Sequence, residues 1–167
     1  MIEIGRSKRA AVVYGFDDIA IVPTRRTRTP SDVNLTWSID ALSFEFPLVA
    51  APMDSVMSPA TAIEFGKLGG LGVLNLEGLW TRYEDPTELF AELAAISDPI
   101  KATRRLQAIY AEPVKGELIA ARMKEIRDAG VPVAGSLSPQ RTREFASIVE
   151  KAGVDFFVIR GTTVSAE

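Results

Sequence analysis

The chain has 167 residues, 47% apolar and 25% charged, with a net charge of -3 and neither cysteine nor histidine. This length suits one domain that buries about two-thirds of its chain surface, and the composition excludes a disordered tail. The missing cysteines exclude disulfides, zinc-thiolate centres and a cysteine nucleophile within these residues; the missing histidines remove the commonest general base, and the acidic balance gives no reason to expect nucleic acid as a partner. No apolar run approaches the ~20 residues that span a bilayer, and the start MIEIGRSKRAAVVYGF lacks the apolar stretch of a secretory signal, so a cytoplasmic protein with no membrane partner is expected.

In chain order, the first 30 residues carry six bases against three acids. The cluster TRRTR at 24–28 follows a strand-like IAIVP and reads as a solvated turn, or else as a grip for a phosphate or an acidic neighbour. Further on, Ser58-Pro59, Asp85-Pro86, Asp98-Pro99 and Ser138-Pro139 each pair a capping side chain with a proline suited to a first helical turn. Asp85 also has Glu88 three residues on, which predicts a reciprocal capping box. After Lys115, Ile119, Met123 and Ile126 recur at helical spacing and Gly130 offers a helix stop. The long helical stretch from Asp85 to Gly130 predicts two or three helices, one of them near Pro99 to Tyr110.

Four nearly continuous apolar runs alternate with these helices: PLVAAPM (47–53), LGVLNL (71–76), VPVAGSL (131–137) and VDFFVIR (154–160). Such runs suit strands of a parallel sheet, giving the order βαβαβαβ. Ala-Gly-Val at 129–131 returns at 152–154, the spacing of a helix-plus-strand unit. The glycine-rich FGKLGGLGVLN at 65–75 follows a helix and precedes a strand, which is the reverse of a phosphate-cradling loop, so its glycines are expected to turn a corner.

In parallel α/β architectures the chemistry lies beyond the carboxyl ends of the strands. Those positions are Pro52-Met53-Asp54-Ser55, Asn75-Leu76-Glu77-Gly78, Ser136-Leu137-Ser138 and Arg160-Gly161-Thr162-Thr163. They offer carboxylates, an amide, hydroxyls and a guanidinium, but no nucleophile-base pair, which suits a share of a binding site better than a complete catalyst. Asp54 and Ser136 read equally well as local turn caps. The loop EGLWTRYED at 77–85 is a candidate lid or oligomer contact, or ordinary packing.

PLVAAPMDSV followed by ATAIEFGKLGGLGVLN resembles the first βαβ of the IMP dehydrogenase and GMP reductase family, and YGFDDIAIVP resembles its entry strand. GLWTRYEDP and YAEPVKGELIAARMKEIRDAG resemble the branch of actinobacteria and cyanobacteria that lacks the CBS-domain insertion. The resemblance covers essentially the whole chain. It implies the amino-terminal half, about four βα units at 47–167, of a (β/α)8 TIM barrel, preceded by a strand-rich extension and cap at 1–46. It also implies a substrate of the purine nucleotide class (IMP), NAD as cofactor and a homotetramer. Ala51, Met53 and Asp54 match the nucleotide-binding turn, with Met53 close to the purine. Asn75, Arg160, Gly161 and Thr162 match the cofactor side. Family members often have serine at Ala51, histidine at Asn75 and Asp-Ser-Ser at Arg160-Gly161-Thr162.

The family oxidises IMP by cysteine attack at purine C2, hydride transfer to NAD and hydrolysis of the covalent intermediate, so the resemblance implies guanine nucleotide biosynthesis for the full-length protein. No catalytic residue is assigned within this chain, because the family's cysteine follows its sixth barrel strand. GMP reduction with NADPH on the same scaffold, or a noncatalytic nucleotide-binding or oligomerising role, are the alternatives. An unclosed sheet would leave the PLVAA and DFFVI runs as raw edges, so the chain is expected to be part of a longer polypeptide and inactive alone.

Overall fold

The computed structural model describes residues 2–3, 9–22 and 29–161, which group into two compact units divided between Asn34 and Leu35. In the first unit β1 (Ile2–Glu3) pairs antiparallel with β2 (Arg9–Ala10), and short 3-10 turns occupy Phe16–Asp18 and Pro30–Asp32. The strand expected at IAIVP does not form among the described residues: Ile19 to Val22 join no ladder. An extended segment becomes a strand only where a neighbour takes up its backbone groups, which β-propensity alone does not supply. The TRRTR cluster lies outside the described residues.

The second unit opens with an antiparallel hairpin of β3 (Trp37–Ile39) and β4 (Leu42–Phe44). Four parallel strands follow: β5 (Val49–Ala50), β6 (Leu71–Asn75), β7 (Ala134–Leu137) and β8 (Phe156–Ile159), ordered β5-β6-β7-β8. The crossovers are α1 (Pro59–Lys67), then α2 (Thr87–Ala95), α3 (Pro99–Ile109) and α4 (Gly116–Asp128) in succession, then α5 (Pro139–Lys151). This is the predicted α/β order. Among the described residues β5 and β8 are the sheet edges.

Three of the four proline signatures start helices as predicted. Ser58 Oγ accepts from Thr61 N at 3.0 Å while Thr61 Oγ1 accepts from Ser58 N at 2.6 Å. Asp98 Oδ1 accepts from Ile100 N at 2.8 Å, and Ser138 Oγ from Arg141 N at 3.3 Å. The capping box at Asp85 is absent, because the capping position falls on Pro86 and Asp85 accepts instead from Thr87 N at 3.0 Å. Pro86 turns the chain at ψ 6°, which shifts the start by one residue and puts Glu88 out of register for reciprocity. On α4, Ile119, Met123 and Ile126 are buried as their spacing predicts.

The glycines of 65–75 turn a corner. Gly69 adopts φ +93° after α1, and a Cβ there would meet the Glu45 side chain at 2.3 Å. Gly72 sits within β6 where a Cβ would lie 3.0 Å from Ala62 Cα, so its absence lets α1 lie close on the sheet.

Alternation along the strands divides the core. Leu74, Leu76, Val133 and Leu137 face the helices, packing with Ala62, Ile119, Met123, Ile126 and Val149. Leu71, Val73 and Ala134 face the other way and pack with Phe44, Phe156 and Val158. Phe44 stacks on Trp37 with ring centroids 4.9 Å apart and tilts against Phe156 at 5.9 Å. The β3–β4 hairpin thus plugs the helix-free face near the amino ends of its strands. Phe44→Ala should lower unfolding stability by about 3–5 kcal/mol, read from denaturant midpoints, with far-UV circular dichroism of the native state unchanged.

Candidate functional site

Along the strand direction, the helix-free face changes from apolar to polar. Asn75 continues the row Leu71–Val73, Ser136 follows Ala134, and Arg160 follows Phe156–Val158. Asn75 and Ser136 are register partners, so their side chains share this face. Arg160 N donates to Leu137 O at 2.8 Å, which carries the ladder one residue past β8. Of these polar ends, Asn75 and Arg160 reach a cavity of about 590 Å³ whose lining also includes Met53, Asp54 and Tyr110 together with Phe90, Leu93 and Leu106 of α2 and α3; Ser136 is fully buried and lies outside that lining.

Asp54 is the node of the polar side. Its Oδ1 accepts from Asn75 Nδ2 at 3.3 Å, while its Oδ2 accepts from Leu79 N at 3.0 Å and from the Tyr110 hydroxyl. Gly78 makes room for it: a Cβ on Gly78 would meet Asp54 Oδ1 at 1.8 Å. Asn75 Oδ1 in turn accepts from Glu77 N at 3.2 Å and from Arg160 Nη2 at 2.9 Å. Glu77 accepts from both Ser138 Oγ at 2.7 Å and Ser138 N at 3.0 Å, and reaches Arg160 Nη2 at 3.4 Å. One connected set of hydrogen bonds therefore joins the exits of all four parallel strands.

Tyr110, between α3 and α4, was not singled out by the sequence, since nothing in its local pattern distinguishes it from a packing residue. Its ring lies under the Arg82 guanidinium, 5.2 Å from Cζ. Burial, and then the hydrogen bond to Asp54, push its phenol well above the ordinary value of 10. It stays a proton donor to Asp54 over the whole neutral range.

The 77–85 loop is packed against the rest of its unit over most of its length. Leu79, Thr81 and Arg82 are buried. Thr81 Oγ1 donates to Leu76 O at 2.9 Å, and Arg82 Nε donates to Glu77 O at 3.0 Å while its Nη1 donates to Tyr110 O at 3.1 Å. Arg122 of α4 donates to Trp80 O at 3.1 Å and sits over the Trp80 ring. Packing within the chain, one of the alternatives raised by the sequence, is observed.

The cavity thus gathers Met53, Asp54, Asn75 and Arg160 from the predicted positions. Ala51 is exposed one turn earlier, its carbonyl accepting from Met53 N at 2.8 Å, and is not part of the lining. Gly161 is exposed beside Pro139 at the start of α5, and Thr162 lies outside the described residues. Among the described residues no group of three or more acidic side chains is placed to hold a metal, and no helix is long and apolar enough to cross a membrane.

The profile of the IMP dehydrogenase / GMP reductase domain matches residues 13–162. The chain belongs to the IMP dehydrogenase/GMP reductase family. Family relatives include an uncharacterised oxidoreductase of Mycobacterium tuberculosis, 46% identical over 171 residues that span all of this chain and 46% of the relative. An inosine-5'-monophosphate dehydrogenase of Streptococcus pyogenes is 28% identical over 77% of this chain and 25% of its own length. The crystal structure of an IMP dehydrogenase/GMP reductase-like protein from Corynebacterium glutamicum superposes with a TM-score of 0.83 at 47% identity, over 99% of this chain and 46% of that one. The chain spans about half the length of these relatives from Mycobacterium and Corynebacterium, and it shares with the family an α/β fold built on a parallel sheet.

Two variants probe the node. Gly78→Ala forces a methyl group into the Asp54 carboxylate and should cost about 1–3 kcal/mol in denaturant unfolding, as overpacked sites do. Because the folded state holds the Tyr110 proton more tightly than the unfolded chain, stability should fall as pH rises past the ordinary tyrosine value of 10. Tyr110→Phe removes that component, so its denaturant midpoint should decline less steeply above about pH 10 than that of the wild type.

Proposed function

We propose that this chain supplies the nucleotide- and cofactor-binding share of an IMP dehydrogenase-type oxidoreductase, which converts IMP, NAD and water to XMP and NADH in cytoplasmic guanine nucleotide synthesis. In this reading residues 47–167 are four of the eight βα units of a TIM barrel, residues 1–46 are its extension and cap, and the working enzyme is a homotetramer. The observation that carries the reading is the convergence of Met53, Asp54, Asn75 and Arg160 on one cavity beyond the carboxyl ends of parallel strands. That is where α/β sheets and barrels bind their ligands. A volume near 590 Å³ suits a nucleotide-sized group.

Within the cavity the residues divide by chemistry. Met53 lies half exposed at its edge and offers a polarisable apolar contact to a purine ring. Asp54, with three donors already committed to it, fixes the loop that carries Met53 and orients Asn75. On the cofactor side Asn75 and Arg160 are joined to each other, and the apolar wall of Phe90, Leu93 and Leu106 lets a flat ring leave water. These groups fit a nicotinamide nucleotide, which when bound supplies the hydride acceptor.

The chain contains no cysteine, so the nucleophile for purine C2 is assigned to a segment outside these residues, and the 167-residue chain alone is without turnover. The polypeptide extended to the length of its relatives should reduce NAD when given IMP, followed by absorbance of the reduced cofactor. Consumption of NADPH with GMP instead would identify a reductase. Silence in both assays beside measurable IMP binding would leave only the noncatalytic role.

A further inference from the structure

Among the described residues α2 and α3 are the least buried helices. α2 has no buried residue and α3 only Ile109 at its last position, whereas α4 buries Leu118, Ile119, Met123 and Ile126. Helices of 9 and 11 residues are marginal in water by themselves. A fork ties these two together: Glu92 Oε1 and Oε2 accept from Arg105 Nε and Nη2 at 2.6 and 2.8 Å. Two parallel bonds fix orientation as well as distance, which couples the helices to each other more than to the sheet.

The ties to the rest of the unit gather at the two feet of this pair. On the incoming side Pro86 is buried. On the outgoing side the Tyr83 hydroxyl donates to Ile109 O at 2.8 Å, Arg82 Nη1 donates to Tyr110 O at 3.1 Å, and the Tyr110 hydroxyl donates to Asp54. Between the feet a ring contact reaches the body, Phe90 of α2 against Trp80 with centroids 5.9 Å apart. Trp80 Nε1, like Ser136 Oγ, is a buried side-chain atom with no hydrogen-bond partner among the described residues. A buried donor without an acceptor is unfavourable, so the contact that holds α2 down carries a cost of its own. The side of the pair turned to the cavity is apolar: Phe90, Leu93 and Ala94 of α2 with Leu106 of α3. Leu106 is 42% exposed and Ala94 is exposed as well, so this side gains burial whenever it comes down on the floor or on a ring between them.

We infer that the α2–α3 pair is a lid: residues 87–109 move as one body about feet at 83–86 and 110–112 and close their apolar side over the strand-exit cavity, with Phe90 on Trp80 as the latch. Helices with few buried apolar contacts belong to the low-stability end of a structure, from which lids are drawn. The lid rests on the reading of the cavity as a ligand site, given above, only for what it covers. Its motion is a property of this chain without ligand.

The test uses the absence of cysteine, because spin labels then attach only where cysteines are introduced. Three pairs of exposed positions serve in the 167-residue chain: Ala91→Cys with Arg104→Cys within the lid, Ala121→Cys with Ser147→Cys between α4 and α5, and Ala91→Cys with Ala121→Cys from lid to body. Pulsed electron–electron double resonance should return one narrow distance for each of the first two pairs. For the third it should return two maxima, or a distribution at least about twice as wide, as hinge motion of a rigid body requires. Adding Phe90→Ala, which removes the latch, should shift the third distribution further toward its second population while leaving the first pair narrow. A third distance as narrow as the other two would overturn the proposal. So would a first pair as broad as the third, which is fraying of the helices, or a third distribution that Phe90→Ala leaves unchanged. Circular dichroism melts of the labelled variants exclude global unfolding as the cause. Turnover of IMP with NAD by the extended polypeptide beside a single narrow lid-to-body distance would sink the lid alone; a moving lid without turnover would sink the dehydrogenase reading alone.

Discussion

The Asp54 carboxylate is the interaction on which the site depends. It is exposed enough to line a cavity, yet it accepts from the Asn75 amide, the Leu79 backbone and the Tyr110 hydroxyl, groups lying 21, 25 and 56 residues away in sequence. Each of those bonds fixes a different element: the end of β6, the turn after it, and the junction of α3 with α4. A charged acceptor makes such bonds roughly twice as strong as neutral ones, and Gly78 is needed simply to let the carboxylate approach. The exit of β5, only two residues of regular strand, is thereby held in position from outside itself.

Arginine plays the complementary part on the far side of the network. Arg82 and Arg122 donate to main-chain carbonyls of the 77–85 loop, of the α3–α4 junction, or of both, and each lies over an aromatic ring. A fork of donors can satisfy several carbonyls of an irregular segment at once, which is how a loop without regular structure remains packed. The helical insertion α2–α3, whose own ion pair joins Arg105 to Glu92, adds the apolar Phe90, Leu93 and Leu106 to a lining that also carries Asp54, Asn75, Tyr110 and Arg160. Its contribution to the site lies in that contrast: ring on one side, hydrogen bonds on the other.

The polarity gradient on the helix-free face links fold to chemistry. Near the amino ends of the strands Leu71, Val73, Ala134 and Phe156 are sealed by Phe44, whereas near the carboxyl ends Asn75, Ser136 and Arg160 take over. One face of one sheet thus carries an apolar plug and a polar rim within a few residues. Parallel α/β sheets provide such a rim at their strand ends, and the chain that carries it here spans about half the length of the relatives.

The succession of parallel strands and helices along the chain, three of the four proline-marked helix starts and the direction of the glycine-rich turn were legible in the sequence, because each follows from short-range causes: apolar runs of six or seven residues, a capping side chain followed by proline, and glycines after a helix instead of before one. The strand-exit rule also found Met53, Asp54, Asn75 and Arg160, since in parallel sheets that position follows from chain direction alone. Two local expectations failed where a neighbour decides the outcome: Asp85 lost its capping box to the turn at Pro86, and Ile19 to Val22 found no partner strand. Tyr110 and the orphaned Ser136 hydroxyl could be recognised only in three dimensions. The sequence by itself determined the four parallel strands, the helices between them and which strand ends carry polar groups; the tertiary structure alone decided which of those groups touch, because hydrogen bonds between residues tens of positions apart depend on how the strands and helices pack, and no local pattern records that.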